Sequence, residues 1–77
     1  MFYQGLNLPE AVWNRLKDIG RDEAASGRQP SLEECLAHVH DVVTELTGRR
    51  DSLRTGVAEF YAEELQMRIN ALVDGTI

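Results

Sequence analysis

The chain has 77 residues, 43% of them hydrophobic, a formal net charge of −5 and a single cysteine, Cys35. That makes one domain, too apolar to be disordered and too short to enclose a substantial catalytic pocket. A lone cysteine excludes an internal disulfide and a cysteine-built zinc site; no apolar run suits a membrane span and no signal peptide is legible, so a cytoplasmic location is expected.

The first eight residues alternate. Phe2, Leu6 and Leu8 are apolar, and Tyr3, Gly5 and Asn7 fall between them. Period two predicts a short strand over residues 2–8. A lone strand leaves its amides and carbonyls unpaired, so it needs a partner strand, most simply its own copy in a second chain.

Pro9 then predicts the start of helix one, because proline is preset for the first helical position and Glu10 suits the positive end of the helix. Val12, Leu16 and Ile19 form its stripe, with Trp13 at the edge. The pattern fades after Gly20, and "RDEAASGRQP" reads as a fraying end and a loop.

Helix two is announced by Ser31 and Glu34, a capping box directly after Pro30. Its stripe is Leu32, Leu36, Val39, Val43 and Leu46, widened by Cys35 and Val42, and Gly48 is a natural stop. Helix three is predicted from about residue 51 or 52 to about residue 73. Its broad apolar face holds Leu53, Val57, Phe60, Tyr61, Leu65, Ile69 and Leu72, and Gly75 ends it. The apolar spacing also runs on through Gly48, which would make one long helix; "TGRRDS" offers a fresh N-cap and favours a break. Residues 1–77 are then one domain, a strand-helix-helix module (1–48) followed by an acidic helix (49–77).

A strand-like segment, "LPEAVWNRLKDIG", the loop "GRQPS" and a capped amphipathic helix together resemble the ribbon-helix-helix (MetJ/Arc-like) DNA-binding family over residues 2–47. After the Leu-Pro step, Val12, Trp13, Leu16, Ile19 and Gly20 fall where that family places its apolar and small residues. The resemblance implies a mainly α homodimer with one short strand per chain and, here, an added C-terminal helix. It also implies that Tyr3, Gly5 and Asn7 face the major groove and that a phosphate sits near Ser31 with Arg28 beside it. Departures are visible: Gly5 has no side chain to read with, the strand has no Lys or Arg, and the loop between the helices is long. The alternative architecture is an all-α helical bundle.

Charge is unevenly spread. Residues 31–47 hold Glu33, Glu34, Asp41 and Glu45 with no Lys or Arg, and Arg49, Arg50 and Arg54 cluster around residue 50. Wholesale phosphate binding is not expected of such a chain. Glu34, His38, Asp41 and Glu45 share one flank of helix two. Strung along a single helix they cannot close a tetrahedron, so the flank reads as solvated and no metal or other cofactor is expected. Cys35 reads as a small core residue, and no oxyanion loop, phosphate-binding glycine pattern or nucleophile elbow accompanies it, so no enzyme is expected. Trp13, Phe60, Tyr61 and Met67 are candidates for an exposed partner-binding patch; Val57 and Phe60 read rather as core, while Trp13 and Tyr61 lie at stripe edges where a partner can reach them.

Two functions fit. One is a dimeric DNA-binding regulator, antitoxin-like, whose DNA-facing residues are Tyr3, Asn7, Arg28 and Ser31 and which grips a protein through Glu59, Tyr61 and Glu63 of its acidic helix together with Trp13. The other is a small acidic helical inhibitor, of phage type, that acts through protein contacts without DNA.

Overall fold

In the computed structural model, residues 8–49 and 53–76 are described, and they form three helices with no strand among them. Helix α1 spans Leu8–Ala25, α2 Leu32–Thr47 and α3 Thr55–Asp74. Each packs against both of the others. This is the all-α alternative. The expected strand lies outside the described residues except for Leu8, which opens α1.

Local chemistry accounts for where each helix stops. α1 runs past Gly20 to Ala25, five residues beyond the point where its apolar pattern fades. It ends in a Schellman motif: Gly27 adopts φ +76°, its amide donates to Ala24 O, and Arg28 N donates to Glu23 O at 3.1 Å. α2 begins at the expected capping box, with Glu34 N donating to Ser31 Oγ at 3.2 Å and Ser31 N donating to Glu34 Oε1 at 3.0 Å. It stops at Gly48, also left-handed, whose amide donates to Thr44 O. The break at Gly48 therefore stands, and the long continuous helix does not form. α3 begins at Thr55, three or four residues past the expected start. Arg54 before it makes no side-chain capping bond, so the cap expected within "TGRRDS" is not what starts the helix. It closes on a second Schellman motif at Gly75.

Among the described residues ten side chains make up the buried core: Val12 and Leu16 from α1, Cys35, Val39, Val42 and Val43 from α2, and Ala58, Ala62, Leu65 and Ile69 from α3. Gly20 is buried where α1 crosses α3, and a Cβ there would meet Leu65 Cδ1 at 3.2 Å. Its smallness sets how closely those helices approach. Trp13 stacks on Tyr61 with ring centroids 6.2 Å apart, and Gln66 reaches across from α3 to Pro30 O.

The predicted stripes supply most of the core, Val12 and Leu16 on α1, Val39 and Val43 on α2 and Leu65 and Ile69 on α3, but α2 and α3 each turn part of the predicted face outward. On α2 the inward line runs through Cys35, Val39, Val42 and Val43, so Leu36 and Leu46 are half-buried and Leu32 is exposed. On α3 the correction is larger: Val57 and Phe60, expected in the core, are exposed, and Ala58 and Ala62 take their place. A helix that packs on two neighbours at once needs small residues at the closest approach, and alanine fills that line without forcing the axes apart.

Candidate functional site

Arg28 and Ser31, the expected phosphate site, sit where α1 hands over to α2. Arg28 Nη2 donates to Glu34 Oε2 at 2.8 Å, and its Nε lies 3.4 Å from Glu23 Oε2. Glu23 Oε1 lies 3.1 Å from His38 Nε2. The result is a clasp, Glu34–Arg28–Glu23–His38, that ties the end of α1 to the first two turns of α2. The Ser31 amide, then the Arg28 guanidinium, hold the Glu34 carboxyl below its ordinary range. Two carboxylates already neutralise Arg28, the Ser31 hydroxyl is occupied by the cap, and Glu33 and Glu34 place negative charge at this helix N-terminus. Tyr3 and Asn7, the other two expected DNA-facing residues, lie outside the described residues.

The acidic flank of α2 faces α1 rather than open solvent alone. His38 pairs with Glu23, and Glu45 Oε1 accepts from Arg15 Nε at 3.1 Å. Among the described residues no group of three or more His, Cys, Asp or Glu is placed to hold a metal ion. Cys35 is buried, and burial, then Glu34 and Glu23, pushes its thiol up to about 11. A thiol so disposed is a poor nucleophile. Among the described residues no helix is long and apolar enough to cross a membrane.

What remains is the outward surface of α3 and its junction with α2. Among the described residues four large apolar side chains stand open: Leu32 is 41% exposed, Val57 39%, Phe60 56% and Met67 64%. Phe60 and Met67, seven residues apart, share one line along α3, with Glu63 and Glu64 between them in sequence. Phe60 also meets Tyr61, so that Trp13, Tyr61 and Phe60 form a row of rings running from the α1–α3 seam onto the surface. On the other side of α3 an apolar groove of about 350 Å³ runs between α2 and α3, lined by Leu32, Leu36 and Ala62 with Glu33, Glu59 and Glu63.

No protein-family model, curated protein or solved structure matches this chain. What the surface can do follows from its own geometry. Of the four expected partner-facing residues, Glu59 and Glu63 are brought together on the groove; Trp13 and Tyr61 are stacked and half-buried at the opposite seam. Leu32 and Leu36 were expected on the buried stripe of α2, and Phe60, a candidate with Met67 for an exposed patch, was assigned to the core. The signal lay in the spacing of Ala58 and Ala62: two alanines at i, i+4 mark the line of closest approach and turn the larger residues beside them outward.

Proposed function

We propose that this chain is a non-catalytic helical module that works by docking on a basic surface of a partner protein. The supporting observation is the inversion of size on α3, where alanines fill the core while Phe60 and Met67 stand in water. Each large apolar side chain left exposed forgoes about 1.5–3 kcal/mol of burial, so a surface of this kind suits a protein interface. Glu59, Glu63 and Glu64 border it on the same helix. A second copy of this chain would set those carboxylates against their own images, whereas a basic partner meets opposite charge.

The DNA-regulator reading draws its support from the sequence pattern of residues 2–47. It ranks second because Arg28 and Ser31 are both engaged by Glu34, and because acid at the start of α2 opposes a phosphate there.

Expression of a tagged chain in its native host tests the choice. The expected result is one co-purifying protein that survives nuclease treatment and is lost from the Phe60→Asp/Met67→Asp double variant, whose helical circular dichroism is unchanged. Retention of a specific DNA duplex by both forms, with no protein lost from the variant, would overturn it.

A further inference from the structure

We infer that the groove between α2 and α3 is the seat of an amphipathic, basic helix contributed by the partner; this rests on the protein-docking reading above. The floor of the groove is Leu32, Leu36 and Ala62, and its charged lining is Glu33, Glu59 and Glu63, with no Lys or Arg among the lining residues. None of those three carboxylates has an ion-pair partner among the described residues, whereas Glu23, Glu34, Glu45 and Asp18 are each paired. An apolar trough with free carboxylates on it is complementary to a ligand that is apolar along one side and cationic along its edges.

A helix is the form of ligand that fits. The trough lies between two packed helices, which is the setting in which a third helix inserts anchors at i, i+3 or i+4 spacing. No sheet edge exists among the described residues, so strand addition has no template there. The volume, about 350 Å³, is at the lower end of what holds a small ligand and suits a few apolar anchors. Lys or Arg flanking those anchors would reach Glu33 from one side and Glu59 and Glu63 from the other. These contacts would fix register and speed encounter.

The test is a titration of the full chain, labelled with nitrogen-15, with a synthetic amphipathic helix of Leu and Lys. A scrambled peptide of the same composition and a Leu/Glu helix serve as controls. The Leu/Lys helix is expected to move the amide signals of Leu32, Leu36 and Ala62, to weaken with added salt, and to bind at least about tenfold more tightly than either control. Glu59→Lys/Glu63→Lys and, separately, Leu32→Ser each replace exposed residues and are expected to weaken binding by about tenfold or more. Equal binding of the scrambled peptide would reduce the groove to a generic acidic surface and overturn the inference. Absence of binding would do the same. Signals moving only around Phe60 and Met67 would overturn the groove and leave the docking reading standing. Groove binding intact beside a failed co-purification would overturn the docking reading instead.

Discussion

Ser31 carries two duties that usually fall to separate residues. Its hydroxyl caps α2 and its amide holds the Glu34 carboxylate, which in turn pins Arg28. Ser31→Ala removes the cap and is expected to cost about 0.5–2 kcal/mol, read as a lower urea midpoint at unchanged slope. Glu34 adds an acid-side signature. Its folded pKa lies below the ordinary 4.5, so its contribution is complete above that value and is lost as pH falls through the lowered one. Glu34→Gln is therefore expected to flatten the fall in stability on acidification, in a thermal melt followed across that range. Cys35 shows the opposite sign at the alkaline end. Its thiol is raised from 9.0 to about 11, so burial favours the neutral form, and the stability linked to it is present below about 9 and lost as pH rises toward 11. At pH 8 the thiolate fraction is roughly a hundredfold lower than in the unfolded chain. Folded protein is expected to resist a thiol reagent that labels it at once in denaturant; rapid labelling of the native chain would place Cys35 outside the core.

Helix starts and stops were legible from the sequence wherever the signal lies within a few residues of the boundary, as at Ser31–Glu34, Gly48 and Gly75. The end of α1 was not, because an acid sits on the inward line: after Leu16 and Gly20 the next inward position is Glu23, half-buried and tied to Arg28 and His38. A carboxylate there breaks the apolar rhythm that marks a helix, and its partners come from other elements. The stripes themselves were legible, but the exact inward line on α2 and α3 was hidden for a related reason. Periodicity gives a stripe wider than the line of closest approach, and only packing against two neighbours chooses Ala58 and Ala62 over Val57 and Phe60. The groove followed from that choice, so it too was out of reach of the sequence, although Glu59 and Glu63 were recognised as partner-facing. A pair of substitutions checks the turned face of α2. Val39→Asp places a charge among fully buried side chains and is expected to unfold the chain at 25 °C, whereas Leu32→Asp, one residue into the same helix, is expected to leave the melting midpoint nearly unchanged. If both variants unfolded, Leu32 would belong to the core and the groove would be closed.

At the scale of the whole molecule, three short helices close a core within one chain. Burial of the wide stripes is therefore met in large part by α1, α2 and α3 themselves. Among the described residues, large apolar side chains are left exposed along α3 and its junction with α2, where Glu33, Glu59 and Glu63 have no ion-pair partner. Docking on a basic partner accounts for both features at once. The most direct measurement is photocrosslinking in living cells with a benzophenone amino acid in place of Phe60, in the native sequence and in the Glu59→Lys/Glu63→Lys background. The account expects a single covalent adduct with another protein whose contact peptide is rich in Lys or Arg, and its loss on charge reversal. An adduct with a second copy of this chain alone, or one that survives charge reversal unchanged, would contradict it.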